Sequence, residues 1–203
     1  QLILNFDFEQ NFKNLDFYVS KSNEHVFNLI NNWPKNKEKF LNIIGEKFSG
    51  KSHLINIFLE KNKGLKINSK NLNEKFLKET KFYQNIILED LTTSIDEKLF
   101  YTLINIVDSE NKHLVTTSEI PIMKMNFTLS DLHSRSKIFF LTRIENPDDD
   151  LIFALILKNL SDRQISIDKK LIDYIIKRID RSYSNISDFI YKIDQISLKK
   201  KKS

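Results

Sequence analysis

The chain has 203 residues, of which 40% are apolar and 29% are charged. This balance is typical of a soluble globular protein with one large domain, or with one domain and a small appendage. The sequence contains no cysteine, which excludes disulfide bonds and thiolate zinc sites. It also lacks a signal-peptide pattern and any apolar run near the ~20 residues that span a bilayer, so we expect a cytoplasmic protein without a membrane segment.

The excess positive charge is concentrated at the C-terminus. The formal net charge is +5, and four of these charges are attributed to Lys199, Lys200, Lys201 and Lys202. Residues 199–203 are therefore predicted to form a basic tail on a nearly neutral body. Strong direct DNA binding requires a basic surface, and we do not expect it here.

Helices and strands alternate in the first three quarters of the predicted structure. A helix is expected from Ser22 to Trp33, because Pro34 disfavours its continuation. Short apolar runs predict strands at residues 40–44, 65–67, 86–88, 113–117 and 138–141. Helical periodicity predicts helices at residues 51–61 and 73–80. A third helix is expected to begin at a capping box at residues 94–97. Such alternation is typical of βαβ units and indicates an α/β domain with a mostly parallel sheet, at residues 11–146.

Only helical patterns follow Asn146 and Pro147. Apolar periodicity predicts helices at residues 151–160, 169–179 and 186–196, each preceded by Asp or Ser residues that can cap it. Residues 147–198 are therefore expected to form a small helical subdomain.

A phosphate-binding motif lies between the first strand and the helix that follows it. Residues 45–52, with the sequence GEKFSGKS, satisfy the pattern G-x-x-x-x-G-K-[ST]. Gly45 and Gly50 allow the backbone to curl so that N–H groups of the loop, including those of Phe48 and Ser49, face one phosphate. Lysine and serine complete the motif: Lys51 is expected to reach the β and γ phosphates, and Ser52 to bind Mg²⁺.

Two carboxylates follow the predicted strand at residues 86–88. Glu89 and Asp90 stand where a phosphate-loop protein needs an acidic partner on a neighbouring strand. One carboxylate would hold the Mg²⁺ shell and the other would polarise the attacking water. Both are therefore candidate metal-binding and catalytic residues.

Five segments carry a resemblance that covers nearly the whole chain. They are LDFYVSKSN (15–23), GKSHL (50–54), LVTTSE (114–119), LHSR (132–135) and SNISDF (184–189). They resemble segments of the DnaA-related AAA+ family. The resemblance implies a three-layer αβα core with a parallel five-stranded sheet, a three-helix lid, and ADP or ATP with Mg²⁺ as the bound nucleotide.

The resemblance also implies roles for individual residues. Tyr18 and Val19 would lie against the adenine. His53, directly after Ser52, and Ser118, in the segment called sensor 1, would be further nucleotide-binding residues. Arg135 would be an arginine finger, a residue that reaches the nucleotide of a neighbouring subunit. An arginine finger implies a protein partner or a homo-oligomer.

Two departures from the family pattern concern hydrolysis. Glu89 stands where the family often has aspartate, and Ser187 stands where the arginine of sensor 2 is expected. Arg178 or Arg181 could take the place of that arginine. The sequence therefore leaves open whether the chain hydrolyses ATP by itself.

The first residues match a peptide that docks on the bacterial DNA-polymerase sliding clamp. Gln1, Leu2, Leu4 and Phe6 have the spacing Q-L-x-L-x-F, in which the glutamine amide forms hydrogen bonds and the apolar side chains fill a groove. The alternation also suits an edge strand or a flap over the core. We expect residues 1–10 to be an extended clamp-binding segment, preceded by further residues because Gln1 is not an initiator residue.

The predicted order of a clamp-binding segment, an AAA+ core and a lid resembles the domain organisation of a regulatory member of the family. The sequence ends after the predicted lid, without the helix-turn-helix domain of an initiator. We therefore expect a protein that binds the clamp and promotes hydrolysis of ATP bound to the initiator DnaA. The alternatives are an initiator fragment or adaptor acting on DNA, and a self-sufficient NTPase.

Overall fold

The structure, a computed structural model of the chain, describes residues 17–33, 38–162, 165 and 167–200. The predicted clamp-binding residues Gln1, Leu2, Leu4 and Phe6 lie outside these. Contacts divide the described residues into two compact units. One contains residues 26–45 and 50–144, and the other contains residues 17–25, 46–49 and those from 145 onward.

Five parallel strands form the sheet of the first unit. They are β1 (Phe40–Ile44), β2 (Gly64–Asn68), β3 (Asn85–Leu91), β4 (His113–Ser118) and β5 (Phe140–Arg143), in the spatial order β2-β3-β4-β1-β5. Every pairing within this sheet is parallel. The predicted parallel five-stranded sheet is confirmed. The carboxyl ends of β1, β3 and β4, which bear the motifs, therefore meet at one edge.

Helices cover the sheet and build the second unit. The described helices are α1 (Glu24–Asn32), α2 (Lys51–Lys61), α3 (Glu74–Glu79), α4 (Glu97–Ser109), α5 (Ser130–Arg135), α6 (Asp149–Asp162), α7 (Lys169–Ile176) and α8 (Tyr183–Lys200). Within the described ranges, no helix is both long and apolar enough to cross a membrane.

The three central strands, β1, β3 and β4, are largely buried on both faces, which is the expected arrangement for a parallel sheet. On one face, apolar strand residues pack with the i, i+3, i+4, i+7 stripe of α4, and this cluster includes Phe40, Ile86, Leu88, Leu114, Phe100, Leu103, Ile104 and Val107. The alternate strand residues point to the other face and are equally buried; they are Leu41, Ile43, Ile87 and Val115. Four apolar residues of α2 are also buried, namely Leu54, Ile55, Ile57 and Phe58. The three-layer α/β fold follows from these two buried faces.

The three helices of the second unit share a small apolar core. Ile152, Ile156 and Leu160 of α6 pack with Ile172 of α7 and with Ile186 and Ile190 of α8. Aspartates cap two of the helices, because Asp148 accepts a hydrogen bond from Leu151 N at 2.8 Å and Asp168 accepts one from Lys170 N at 2.9 Å. The three helices predicted from sequence periodicity are present.

Two local predictions are wrong. The N-cap of α4 is Asp96, which accepts hydrogen bonds from Lys98 N and Leu99 N, so the predicted capping box at 94–97 does not form. The predicted reciprocal carboxylate, Glu97, instead binds the loop at Thr128 and Leu129. The fifth strand begins at Phe140 rather than at residue 138, because the preceding residues form a 3₁₀ turn.

Candidate nucleotide-binding site

The predicted phosphate loop joins β1 directly to α2. The N–H of Gly45 donates to Ser118 O at 3.1 Å, which fixes the start of the loop to the end of β4. Gly50 is the N-cap of α2 and has φ 90°, a conformation that glycine adopts without strain. The N-terminus of α2, with its positive dipole end, therefore lies where the motif predicts phosphate binding.

The two side chains that complete the motif lie in the first turn of α2. Lys51 is only 7% exposed, and its Nζ donates to Gly45 O at 2.7 Å. Ser52 is exposed. Ser49, in the loop itself, has a buried hydroxyl without a hydrogen-bond partner in the described part of the chain. A buried hydroxyl without a partner costs free energy, which an anionic ligand in the loop would offset.

Phe48 has an unusual backbone conformation within the loop. Its φ is 67°, in the left-handed region, and its side chain is 58% exposed. For a bulky residue this conformation costs about 1–2 kcal/mol. Strain of this kind is typical of functional sites, where the surrounding structure imposes it.

Glu89 is the more buried of the two predicted carboxylates. Its side chain is 12% exposed, and Oε2 lies 3.3 Å from Lys66 Nζ of β2. Oε1 is buried and has no hydrogen-bond partner among the described residues. The charged carboxylate is therefore paired on one side, while the other oxygen is available to a metal ion or to a metal-bound water.

Asp90 occupies a β-bulge at the end of β3, with φ 54°. Its N–H donates to Thr117 Oγ1 at 3.0 Å, and its carbonyl accepts from Ser69 Oγ at 2.6 Å. The carboxylate is exposed and accepts from Asn68 Nδ2 at 2.8 Å. These bonds hold the strained backbone and fix the direction of a carboxylate that can orient a water molecule. Asn68, at the end of β2, was not predicted from the sequence.

The residues present suit a Mg²⁺ ion that is held together with a nucleotide. In the described ranges no group of three His, Cys, Asp or Glu residues could form a protein-only metal site. Mg²⁺ usually takes one or two protein oxygens and completes its shell with phosphates and waters. The exposed hydroxyl of Ser52 and the unpartnered oxygen of Glu89 are such ligands.

A buried polar network lies at the end of β1, next to the loop, and no sequence motif indicated it. Asn42 of β1 is fully buried, and its Nδ2 donates to Thr116 Oγ1 at 3.0 Å and to Ser118 Oγ at 2.9 Å. Its Oδ1 accepts from Ile122 N at 3.1 Å. The predicted sensor 1 residue, Ser118, is itself buried and donates to Ile120 O at 2.7 Å. The network therefore ties β1 and β4 together just before the phosphate loop.

The predicted arginine finger lies at the end of α5. Arg135 forms an ion pair with Asp108 of α4, with its Nη1 3.1 Å from Oδ2. Asp108 also binds Lys39, whose Nζ is 3.4 Å from Oδ1. Both side chains of the Arg135 pair are more than one third exposed, so the pair contributes little stability and can exchange for another partner.

The residues expected near the adenine are half-buried. Tyr18 is partly buried, and its carbonyl accepts from Asn23 Nδ2 at 2.9 Å. Burial raises the pKa of Tyr18, and the negative charges of Asp150 and Asp148 raise it further. Val19 and His53 are partly buried.

The residues considered for sensor 2 lie in and before α8. Ser187 lies in the first half of α8 and lines a groove of ~280 Å³ with Phe48 and Tyr191. Arg178 stacks on Tyr174, with 3.6 Å between Cζ and the ring centroid, and Arg181 pairs with Asp149 at 2.9 Å. Both arginines are therefore engaged within the second unit.

Comparison with known proteins finds similar folds among solved structures but no similar sequences. No protein-family model and no curated protein sequence matches this chain. Among solved structures, domain III of the replication initiation protein DnaA from Thermotoga maritima matches with a TM-score of 0.75 at 17% identity, over 93% of this chain and 89% of that one.

Two longer structures match with lower scores. A DnaA bound to AMPPCP and single-stranded DNA has a TM-score of 0.68 at 17% identity, over 92% of this chain and 67% of that one. The Thermotoga maritima RuvB branch migration motor has a TM-score of 0.62 at 14% identity, over 92% and 66%. The chain therefore has the α/β fold of the AAA+ domain of DnaA.

Proposed function

We propose that this chain binds an adenine nucleotide and regulates the initiation of chromosomal replication, in the manner of Hda, the protein that inactivates ATP-bound DnaA. The observation that carries this proposal is the phosphate loop at residues 45–52, placed between β1 and α2 of a DnaA-like fold. The DnaA structure with bound AMPPCP supports an adenine nucleotide as the ligand.

In this proposal the loop and the edge of the sheet hold ADP or ATP. Lys51 would leave the Gly45 carbonyl to bind the β and γ phosphates, and Ser52 and Glu89 would hold Mg²⁺. The ion would neutralise charge on the phosphates. Asp90, held by Asn68, would orient water, but Ser187 offers no cation to the γ-phosphate. We therefore expect slow intrinsic hydrolysis and a largely structural role for the nucleotide.

The regulatory step is assigned to Arg135. Its exposed guanidinium is held by a weak surface ion pair and can leave Asp108 for a more favourable partner. The γ-phosphate of an initiator-bound ATP is such a partner, because charge develops on it during transfer. An arginine supplied in this way accelerates hydrolysis by roughly 10³–10⁵-fold in well-studied cases.

Docking on the sliding clamp is assigned to Gln1, Leu2, Leu4 and Phe6, which lie outside the described residues. This part of the proposal depends on the sequence motif alone. It predicts that alanine at Gln1 and Phe6 abolishes binding to the clamp while leaving the unfolding curve unchanged. If the double variant binds the clamp as the wild type does, the docking hypothesis fails.

The regulatory proposal is tested by measuring hydrolysis of ATP bound to DnaA, with and without clamp loaded on DNA. The wild type is expected to stimulate hydrolysis only when the clamp is present, and Arg135→Ala is expected to lose the stimulation. Arg143→Ala is the matched control, since it removes another exposed arginine of the same unit. Basal hydrolysis in every combination would contradict the proposal.

A second candidate is a DnaA-like initiator fragment or adaptor that acts on DNA. It is favoured by the likeness to a DnaA bound to single-stranded DNA. It predicts DNA affinity that falls steeply with salt concentration, whereas the clamp-dependent regulator needs none. A self-sufficient NTPase, the third hypothesis, predicts steady ATP turnover by the isolated protein.

A further inference from the structure

The phosphate loop makes an unexpected contact with the last helix of the second unit. The carboxylate of Glu46 accepts hydrogen bonds from Ser182 Oγ at 2.9 Å, Tyr183 N at 2.9 Å and Ser184 N at 3.2 Å. The N–H groups in the first turn of a helix have no partner within the helix. Glu46 therefore caps α8 from a position 136 residues earlier in the chain.

The charge of Glu46 suits this role. Partial burial raises its pKa, but the hydrogen bonds from Ser184, Tyr183 and Ser182 lower it by more, so that the pKa lies below its usual range. The carboxylate is therefore ionised at neutral pH, and its hydrogen bonds are charge-assisted. Such bonds are about twice as strong as those between neutral groups.

A second residue of the same loop meets the same helix. The side chain of Phe48 lines a groove of ~280 Å³ that α6 and α8 build from Leu155, Ile186, Ile190 and Tyr191, among others. Phe48 reaches the groove from a left-handed backbone conformation, with φ 67°, that a bulky side chain rarely adopts. The aromatic contact with this groove gives a reason for phenylalanine at a position that would suit glycine.

These contacts explain why residues 46–49 group with the lid helices, although Gly45 and Gly50 on either side of them group with the sheet. The same four residues belong to the predicted phosphate-binding loop. A change in loop conformation on nucleotide binding would therefore act directly on the first turn of α8.

We propose that Glu46 and Phe48 couple the phosphate loop to α8, so that bound nucleotide orders the start of the helix that carries Ser187. In this arrangement, Glu46 of the loop contacts the first turn of α8. This contact takes the place of the sensor 2 arginine, which would contact the γ-phosphate from the same helix. The inference rests on the proposed nucleotide binding. Because coupling between two events is reciprocal, loss of the contact must also weaken nucleotide binding by the same factor by which nucleotide stabilises α8.

Hydrogen exchange of the full chain tests the coupling. In the wild type, Mg-ADP is expected to raise the protection of the amides at 183–190 by roughly tenfold, which corresponds to one charge-assisted hydrogen bond. Glu46→Gln, which replaces an acceptor oxygen with a donor, is expected to lose this rise and to bind Mg-ADP about tenfold more weakly.

The matched control is Glu97→Gln. Glu97 also accepts backbone hydrogen bonds, from Thr128 and Leu129, and its pKa is also lowered, but it binds a different loop. This variant should respond to Mg-ADP as the wild type does. It therefore separates the effect of Glu46 on α8 from the general effect of removing a capping carboxylate.

Phe48→Gly gives an independent readout, because glycine relieves the strained backbone and removes the side chain from the groove. By the same reciprocity, this variant should transmit less protection to α8 and bind Mg-ADP more weakly by the same factor. Unequal losses of protection and of affinity would contradict the coupling.

The outcomes are distinguishable. If the wild type binds Mg-ADP but the amides of α8 do not respond, or if Glu46→Gln responds as the wild type does, the coupling is overturned while the nucleotide site stands. If the wild type binds no Mg-ADP in a titration, the proposed function is overturned and the coupling with it.

Discussion

Replacement of Asn42 by alanine tests the buried network behind the phosphate loop. Asn42 is fully buried, and so is Ile122, whose N–H donates to the Asn42 side chain. In Asn42→Ala this N–H stays buried without its acceptor, at a cost of ~1–3 kcal/mol. The lost hydrogen bonds to Thr116 and Ser118 add roughly 1 kcal/mol. We therefore expect the free energy of unfolding to fall by about 3 kcal/mol.

Urea unfolding followed by tryptophan fluorescence measures this loss. Trp33 is the only tryptophan of the chain, is 1% exposed, and packs edge-on against His113 with 6.0 Å between the ring centroids. It therefore reports on the unit that contains Asn42. Asn32→Ala is the control, since Asn32 is an exposed asparagine whose amide donates to Asn28 O one turn earlier, and we expect a change within ~0.5 kcal/mol.

A loss below about 1 kcal/mol in Asn42→Ala would refute this reasoning. It would show that the N–H of Ile122 finds another acceptor, such as an inserted water, and that the network does not hold the two strands together. A loss near 3 kcal/mol with an unchanged denaturant slope would confirm that the effect lies in the folded state.

Burial lowers the pKa of His113 in the folded state. The neutral imidazole therefore stabilises the fold above the unfolded-state pKa of about 6.5, and this stabilisation is lost as the pH falls below that value. Urea midpoints at pH 8 and pH 5.5 should differ more in the wild type than in His113→Gln. Burial raises the pKa of Tyr183 to about 12, so Tyr183→Phe should remove the last tyrosine to ionise in a titration followed by absorbance at 295 nm. The stabilisation that the neutral Tyr183 hydroxyl provides should be lost as the pH rises towards 12. Asp108→Asn should release Arg135 and raise the stimulation of initiator ATP hydrolysis, while changing the free energy of unfolding by less than ~1 kcal/mol.

Local signals in the sequence were sufficient for the strand and the helix on either side of the predicted phosphate loop. The predicted strand at 40–44 and helix at 51–61 agree with β1 and α2 to the residue, because an apolar run, two glycines and a helical stripe each constrain the backbone locally. The edge strand β5 was shifted by two residues. Ile138 is apolar and resembles a strand residue in sequence, yet its side chain is 44% exposed in a turn.

Long-range contacts were not predictable from the sequence. Asn42 is an ordinary polar residue in an apolar run, and its partners lie 74 to 80 residues away in β4 and the loop after it. Glu46 occupies a variable position of the motif, and its role depends on a helix that begins at Tyr183. The Asp108 partner of Arg135 likewise depends on how α4 and α5 pack. Periodicity and motifs carry no information about such pairs.

Calorimetric titration of the full chain with Mg-ADP tests the central claim most directly. The structure predicts one binding site whose affinity falls by at least tenfold in Lys51→Ala, since this buried lysine is the cation of the loop. Lys61→Ala, at the other end of the same helix, should bind as the wild type does. Absence of binding by the wild type, or equal binding by Lys51→Ala, would contradict the assignment of residues 45–52 as a nucleotide site.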